Sequence, residues 1–283
     1  MEIIEKAPAK INLSLDVLYK REDGFHELEM VMTTVDLADR IALKSLPEDQ
    51  IVIRTTNGVL PLDRHNHAFQ AAKLIKETFA IETGVEITIE KKIPIAAGLA
   101  GGSSDAAATL RGLNRLWDLN LTLEEVAELG SKVGSDVPYC VHGGTAFVSG
   151  RGEKVEPIGE MPQCWVVLVK PRVGVSTGSV FSVLSFDTVT HPDTAGMVAA
   201  IKAKDYAKMT QKVGNLLEEV TIARHPDIER VKEKMLKFGA DAALMSGSGP
   251  TIFALCDKYS RAQRVYNGLK GFCDEVYLVR TLK

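Results

Sequence analysis

Apolar and polar residues alternate along several short stretches of the first half of the chain, a pattern typical of half-buried β-strands. Alternation and β-branched runs predict strands at 2–6, 12–18, 41–45, 51–54, 85–90 and 143–149. Helical spacing appears instead at Phe69, Ala72, Ile75 and Phe79, after a good N-cap at Asn66. Further helices are predicted at 106–117 and, from the capping box at 122–125, to about residue 133.

The second half of the chain has a different order of elements. A buried strand is predicted at 164–169, and helical segments fill about 193–222. After Pro226 come a helix to Lys237, strands at 242–245 and 251–256, another helix and a last strand. With the 164–169 strand in front, the order is β-α-β-β-α-β, which is that of a ferredoxin-like unit. The chain is therefore predicted to be α+β, with two domains.

The composition of the chain indicates a globular protein and little about its function. The 283 residues carry a net charge of -3, with 45% hydrophobic and 25% charged side chains, which excludes a disordered or fibrous chain. Residues 1–155 hold 17 basic and 23 acidic side chains, net -6, and the remainder is net +3, so a nucleic-acid-binding role is disfavoured. The four cysteines form no Cys-x-x-Cys pair, and the start of the chain lacks an apolar signal sequence. We expect reduced thiols and a cytoplasmic protein without membrane spans.

The segment 94–104, Pro-Ile-Ala-Ala-Gly-Leu-Ala-Gly-Gly-Ser-Ser, follows a predicted strand and opens a helix. Its small residues let backbone N–H groups approach a ligand, and Ser103 or Ser104 is expected to cap the helix, so the segment suits a phosphate or diphosphate. It is neither a Walker A loop nor a dinucleotide fingerprint, because no lysine follows the glycines and Gly-x-Gly-x-x-Gly is absent. The alternative is a structural tight turn.

Two other segments are candidates for chemistry. Residues 245–251, Met-Ser-Gly-Ser-Gly-Pro-Thr, join two apolar strands, and a flexible hairpin loop is the alternative to a ligand-facing role. Lys10 and Asn12 share one face of a predicted strand, although a lysine on a strand usually lies on a solvated edge. Asp136, in Gly-Ser-Asp-Val-Pro, by residue type alone suits a cap or a turn.

Five segments, taken in order, resemble the GHMP kinase superfamily (galactose, homoserine, mevalonate and phosphomevalonate kinases) over nearly the whole chain. They are 7–13 (Ala-Pro-Ala-Lys-Ile-Asn-Leu), 23–27 (Asp-Gly-Phe-His-Glu), 94–107, 134–138 and 246–251. The second and fourth resemble the branch whose substrate is a cytidine diphosphate-linked methylerythritol. The resemblance implies an N-terminal domain like ribosomal protein S5 domain 2 at 1–155 and a ferredoxin-like domain at 156–283.

The activity that the resemblance implies is transfer of the ATP γ-phosphoryl group to the 2-hydroxyl of that substrate, in mevalonate-independent isoprenoid precursor biosynthesis. Asp136 matches the family's base and Lys10 its cationic partner. The ATP-phosphate loop corresponds to Pro94, Ile95, Ala96, Ala97, Gly98, Leu99, Ala100, Gly101, Gly102, Ser103 and Ser104. Asn66 and Lys91 match positions on the adenine side. Mg²⁺ is expected with ATP, but its protein ligands stay unassigned. Ala96 and Ala97 replace glycines that many members carry, so this loop should be less permissive.

The cytidine end of the substrate is expected to involve aromatic residues. In the family, an aromatic residue of the Asp-Gly-(aromatic)-His segment and a phenylalanine of the second domain sandwich the cytosine, and these positions correspond to Phe25 and Phe181. His26 would hydrogen-bond the cytosine edge, and Asn12 would lie near the reacting hydroxyl. Many members have tyrosine where this chain has Phe25, so a hydroxyl contact to the ribose is lost. The remaining histidines are expected to have surface or capping roles.

Other functions remain open from the sequence. The chain could be another kinase of the superfamily, acting on mevalonate, homoserine or a sugar. It could also be a non-catalytic ATP- or metabolite-binding regulator, although retention of both Lys10 and Asp136 disfavours this. We expect a small-molecule substrate, no nucleic-acid or membrane partner, and a monomer or weak dimer.

Overall fold

The computed structural model describes residues 2–56, 58–184 and 190–282. Its strands are β1 (Glu2–Lys20), β2 (His26–Leu46), β3 (Ile51–Thr55), β4 (Gly84–Glu90), β5 (Thr145–Gly150), β6 (Lys154–Pro157), β7 (Trp165–Lys170), β8 (Gly214–Asn215), β9 (Ala242–Met245), β10 (Ile252–Cys256) and β11 (Glu275–Arg280). Its helices are α1 (His67–Phe79), α2 (Gly101–Leu116), α3 (Leu123–Ser131), α4 (Val137–His142), α5 (Thr177–Phe181), α6 (Thr194–Lys202), α7 (Tyr206–Gln211), α8 (Leu217–Arg224), α9 (Asp227–Lys237) and α10 (Tyr259–Lys270).

The first two strands are much longer than the alternation predicts. β1 joins the predicted strands at 2–6 and 12–18 and continues through Pro8, and β2 begins at His26 rather than near Ile41. Nearly every residue between Ala7 and Val17 is buried. Alternation is lost where both faces of a strand are covered, as at 30–35, so the pattern predicts only the second part of β2.

The contacts divide the chain into two compact units that are interleaved in sequence. Unit 1 comprises Met1–Ala9, Leu37–Ile95 and Ala100–Gly143, and unit 2 comprises Lys10–Asp36, Ala96–Leu99 and Gly144–Lys283. This division does not follow a single boundary near residue 155, because two early segments pack with the residues after 143. The assignment of domains to 1–155 and 156–283 stays a prediction.

Unit 1 combines a sheet with packed helices. β3 pairs with β4 in parallel and β4 pairs with β2 antiparallel, which sets Ile41 opposite Ile89. Helix α1 packs on α2, and α2 packs on α4. Gly112 of α2 provides the clearance for this sheet, since a Cβ there would lie 2.2 Å from Cδ1 of Leu43.

Unit 2 contains a four-stranded antiparallel sheet in the order β11-β7-β10-β9. Together with the chain order of strands and helices, this confirms the ferredoxin-like arrangement predicted for the second half. In the same unit, β5 pairs with β2 and β6, and β8 pairs with β1. Cys140, Cys164 and Cys256 are buried free thiols, as expected, whereas the free thiol of Cys273 is only partly buried. No helix within the described residues is both long and apolar enough to cross a membrane.

Helix beginnings confirm some local predictions and correct others. Asn66 caps α1 and the Thr122–Glu125 capping box opens α3. The prediction that Ser103 or Ser104 caps a helix is wrong: α2 begins at Gly101, and its N-cap is Ala100, whose side chain makes no capping bond. The short helix α4 was also not predicted, because its Pro138 resembles a loop signal although proline is tolerated in a first helical turn.

Three buried ionisable side chains meet at the beginning of α2. Lys91 Nζ donates to Asp39 Oδ2 at 2.5 Å and to Asp105 Oδ2 at 2.7 Å. Asp39 Oδ1 also accepts the backbone N–H groups of Lys92 and Ile93. Asp105 Oδ1 is buried without a hydrogen-bond partner among the described residues. Burial raises the pKa of the Asp105 carboxyl to about 8, with Lys91 opposing the rise and Asp39 adding to it.

We expect Gly84→Ala to destabilise the protein. A Cβ at Gly84 would lie 2.0 Å from the backbone oxygen of Glu48, and backbone cannot move aside as a flexible side chain can. Denaturant unfolding should show a loss of about 1–3 kcal/mol. Gly271→Ala is the matched control, because Gly271 has a helical φ of -71° and open space around its Cβ. Equal stabilities of the two variants would contradict the steric explanation.

Asp105→Asn should flatten the pH dependence of stability. The folded protein holds the Asp105 proton up to about pH 8, whereas the unfolded chain releases it near pH 4, so the unfolded state binds fewer protons between these values. The wild-type free energy of unfolding therefore falls as pH rises through this window, and the variant, which cannot titrate, should lose less. Urea unfolding at several pH values measures this, with the exposed Asp227→Asn as control. Identical slopes in wild type and Asp105→Asn would contradict it.

Candidate active site

Lys10 and Asn12 form a buried polar pair in the middle of β1, within unit 2. Lys10 Nζ donates to Asn12 Oδ1 at 2.7 Å, and Asn12 Nδ2 contacts Met30 Sδ at 3.4 Å. Lys10 is only 4% exposed, so it is not the solvated edge lysine that residue type alone favours. Its backbone N–H donates to the carbonyl oxygen of Leu99, which joins β1 to the 96–99 segment.

The two glycine-rich loops meet in the same unit. Ser246 Oγ donates to the carbonyl oxygen of Gly98 at 3.0 Å. A Cβ at Gly98 would lie 2.2 Å from the backbone oxygen of Ser246, and Gly98 has a φ of +73°. A Cβ at Gly247 would lie 3.2 Å from the oxygen of Gly98 and 3.7 Å from Asn12 Oδ1. Glycine at both positions therefore lets the loops approach beside the Lys10–Asn12 pair.

Asn215 of β8 holds the second loop, and no sequence pattern predicts this role. Its Nδ2 donates to the carbonyl oxygens of Met245 at 2.8 Å and Gly247 at 2.7 Å, and its Oδ1 accepts the backbone N–H of Leu217. Because these carbonyls are thirty or more positions away in sequence, the contact depends on the tertiary fold. The backbone of the second loop is thus hydrogen-bonded to a side chain of another strand, and its ligand-facing role stays a prediction.

Three aromatic side chains of unit 2 were predicted for base recognition. The His26 and Phe181 rings lie 5.0 Å apart between centroids, at an interplanar angle of 32°. Phe25 is 51% exposed, and the guanidinium carbon of Arg151 lies 4.8 Å from its ring centroid. Burial, with a smaller contribution from Lys20, lowers the pKa of His26, so its ring is neutral near pH 7 and presents one donor and one acceptor nitrogen.

Asp136 is the N-cap residue of α4 in unit 1, but its side chain makes no capping bond. Asp136 is partly exposed and lies in the turn that precedes α4, so of the two roles that residue type suggests it has the turn and not the cap. Close to it in sequence, a Cβ at Gly134 would lie 4.0 Å from Ser103 Oγ. The Gly-Ser-Asp-Val-Pro segment therefore lies next to the beginning of α2.

The 94–104 segment contains two alanines in a conformation that usually requires glycine. Ala96 has a φ of +51° and Ala100 a φ of +55°. Left-handed angles cost an alanine roughly 1 kcal/mol or more each. Ser104 Oγ donates to the carbonyl oxygen of Pro8 at 2.7 Å, so one of the two loop serines is engaged in structure. The first N–H groups of α2 have no capping side chain, as suits an anion-binding helix end.

The two residues predicted for the adenine side have internal partners in unit 1. Lys91 is held by Asp39 and Asp105, as described above. Asn66 is buried, accepts the N–H of Ala68 at 2.9 Å and donates to the carbonyl oxygen of Pro61 at 2.9 Å. Next to α2, His67 is a neighbour that the sequence did not suggest, since a Cβ at Gly102 would lie 3.1 Å from its Nδ1.

Each unit thus assembles a distinct set of groups. Unit 2 combines a buried cation, an amide, two tightly packed glycine loops and an aromatic cluster, which suits a ligand with an aromatic ring and a polar reacting end. Unit 1 combines a glycine-rich helix beginning with the carboxylate of Asp136 at the start of α4. No group of three or more His, Cys, Asp or Glu side chains that could hold a metal ion occurs among the described residues.

Family models match both halves of the chain. The model for the GHMP kinases N terminal domain covers residues 66–144, and that for GHMP kinases C terminal covers residues 197–275. The solved structure of a 4-(cytidine 5'-diphospho)-2C-methyl-D-erythritol kinase is similar over 100% of both chains, with a TM-score of 0.83 and 30% identity. A homoserine kinase from Cytophaga hutchinsonii, at a TM-score of 0.80 and 21% identity, shares the fold.

Sequence relatives narrow the assignment. A 4-diphosphocytidyl-2-C-methyl-D-erythritol kinase from Enterococcus faecalis is 64% identical over 283 residues, covering 100% of both chains. A protein of the same name from a Geobacillus strain is 61% identical over 282 residues, covering 100% of this chain and 98% of its own. With the two family models and the two-sheet fold, these similarities show that the chain belongs to the 4-diphosphocytidyl-2-C-methyl-D-erythritol kinase family of the GHMP kinases.

Proposed function

We propose that the protein transfers the γ-phosphoryl group of ATP to the 2-hydroxyl of 4-diphosphocytidyl-2-C-methyl-D-erythritol. The observation that carries the proposal is 64% identity over the full length of a relative with that name. The buried Lys10–Asn12 pair beside two glycine loops supports it. Lysine is rarely buried, and a protein that only binds a ligand has no need of a buried lysine in a strand.

Phosphoryl transfer requires positioning and stabilisation of charge more than covalent chemistry from the protein. We assign Asp136 as the base that accepts the proton of the 2-hydroxyl while the hydroxyl oxygen attacks the γ-phosphorus of ATP. The bond from that phosphorus to the β–γ bridging oxygen breaks, and ADP leaves. Lys10 then stabilises the negative charge on the reacting oxygens, and Asn12 orients its ammonium through the 2.7 Å hydrogen bond.

The beginning of α2 is the proposed site of the ATP phosphates. Backbone N–H groups of the 98–102 stretch would donate to phosphate oxygens, helped by the positive end of the helix dipole. The Asp39–Lys91–Asp105 cluster would hold the first part of α2 in position, because Asp105 belongs to that helix. This assigns Lys91 and Asn66 to shaping the nucleotide site, because their side chains are occupied by other contacts.

The aromatic cluster is the proposed cytosine site. Neutral His26 can donate to and accept from a base edge, and Phe25 and Phe181 offer apolar faces for stacking. Base–aromatic stacking contributes about 1–3 kcal/mol per base. Recognition of the base would distinguish this substrate from mevalonate, homoserine and sugars, which have no aromatic ring.

Transfer from ATP calls for Mg²⁺, which neutralises charge between the β- and γ-phosphates and is held largely by phosphate oxygens and water. The described residues offer no cluster of acidic or imidazole ligands for it. The side chain of Asp105 is hydrogen-bonded to Lys91, and Ser104 Oγ donates to the carbonyl oxygen of Pro8, so we assign no protein ligand.

Substrate selection is the direct test of the proposed function. The purified protein with ATP and Mg²⁺ should phosphorylate 4-diphosphocytidyl-2-C-methyl-D-erythritol, but not methylerythritol 4-phosphate or mevalonate, because only the first carries the base. Coupled detection of ADP and phosphorus NMR of the product measure this. Turnover of mevalonate would show that the protein is a kinase of a different substrate. ATP binding without turnover of any acceptor would favour a non-catalytic regulator.

Asp136→Asn should lower kcat by about 10²–10⁴-fold, because the amide cannot accept the hydroxyl proton. ATP affinity should stay within about twofold, since the carboxylate is proposed to act on the acceptor. Steady-state turnover and nucleotide titration of the same preparation separate these effects. The control is Asp227→Asn, which removes a carboxylate from the exposed first turn of α9 and should leave both values unchanged. A kcat of Asp136→Asn near that of the wild type would remove Asp136 from the mechanism.

A further inference from the structure

Arg151 lies in the tight turn that joins β5 to β6, within unit 2. The glycines on either side have left-handed angles, with φ of +73° at Gly150 and +115° at Gly152. The backbone N–H of Arg151 donates to Glu153 Oε2 at 2.6 Å. Because Gly150 is opposite Leu28 in the β5–β2 ladder, the turn lies beside the start of β2, and the Arg151 guanidinium lies 4.8 Å from the centroid of the Phe25 ring.

Arg151 forms no salt bridge with the described part of the chain, and its guanidinium contacts an aromatic face. The Asp23 carboxylate interacts with it electrostatically beyond salt-bridge distance and is itself hydrogen-bonded to Arg21. The nearby Arg21 differs, because its guanidinium is paired with Asp23 and Glu27. A guanidinium stacked on a ring keeps its planar edge of N–H donors available, and this edge matches the oxygens of a phosphate.

The substrate of the proposed function has a part that no residue assigned so far would bind. Between the cytosine and the reacting hydroxyl are a ribose and a diphosphate, and the diphosphate is anionic. The side chains assigned to substrate recognition, Asn12, Phe25, His26 and Phe181, include no cation when His26 is neutral. A guanidinium that stacks on Phe25 and forms no salt bridge with the described residues has the chemistry that the diphosphate requires.

We propose that Arg151 is a specificity-determining residue that binds the diphosphate of the cytidine diphosphate moiety while its stacking on Phe25 leaves the opposite face of that ring for the base. The inference rests on the proposed function. It adds a requirement: the protein would select for a phosphorylated cytidine rather than for the base alone. Arg151 would bind the same way in the ground state and the transition state, because the diphosphate does not react.

Truncated ligands test this assignment. Cytidine, CMP and CDP are titrated calorimetrically into the wild type, Arg151→Gln, Arg151→Lys and Lys154→Gln. Arg151→Gln should weaken CDP about ten- to a hundredfold, as expected for loss of a charge-assisted hydrogen bond, and leave cytidine within twofold. Arg151→Lys should recover part of the CDP affinity, since lysine keeps the positive charge but lacks the planar pair of N–H donors of the guanidinium. With full substrate, KM of Arg151→Gln should rise while kcat changes little.

Lys154→Gln is the matched control, because it removes one positive charge from the exposed start of β6 in the same hairpin. If it weakens CDP as much as Arg151→Gln, general electrostatics accounts for the effect and the assignment is wrong. Equal weakening of cytidine and CDP by Arg151→Gln would also overturn it, by showing that Arg151 only supports the Phe25 ring. Thermal unfolding of each variant checks that the fold is intact.

The experiment separates the inference from the function on which it rests. If the wild type binds the cytidine series and Arg151→Gln binds CDP equally well, the inference alone falls. If the wild type binds none of the three ligands and does not turn over the cytidine diphosphate substrate, the proposed function is wrong, and the inference that rests on it is wrong as well.

Discussion

The close approach of two backbone segments, at Gly98 and at Ser246–Gly247, is the constraint on which the chemistry of unit 2 depends. Any side chain at Gly98 would overlap the carbonyl of Ser246. The approach places Lys10, whose own N–H is bound to the adjacent Leu99 carbonyl, in a setting with little solvent. An ammonium group in such surroundings interacts far more strongly with a neighbouring anion than it would in water.

The same constraint explains why unit 2 commits so many polar groups to loop carbonyls. Asn215 satisfies two of them, Ser246 a third, and Thr221 Oγ1 approaches the carbonyl oxygen of Ser248 at 3.4 Å. Carbonyls in a tight, buried turn cannot all pair within the backbone, and each unpaired one would cost free energy. Side chains from α8, β8 and the loop itself meet this requirement, so the loop shape is a property of the whole unit.

Local patterns predicted those parts of the structure that depend on local interactions. Asn66 and the Thr122–Glu125 box were found because caps act within a few residues, and the ferredoxin-like order followed from alternating element types. The first part of β2 was missed because burial on both faces removes the alternation. The pairing of Lys10 with Asn12 was accessible from their spacing on one strand face. The bonds from Lys91 to Asp39 and Asp105 span 52 and 14 positions, and no sequence spacing encodes them.

The alanines at left-handed angles in the 94–104 segment have a consequence for nucleotide binding. Glycine would adopt these angles without steric cost, but it would also sample many other shapes before a ligand arrived. Ala96 and Ala100 have fewer alternatives, so much of the conformational entropy of the loop is lost when the protein folds. A nucleotide then meets a loop that is already organised, and less of its binding energy is spent on ordering the backbone.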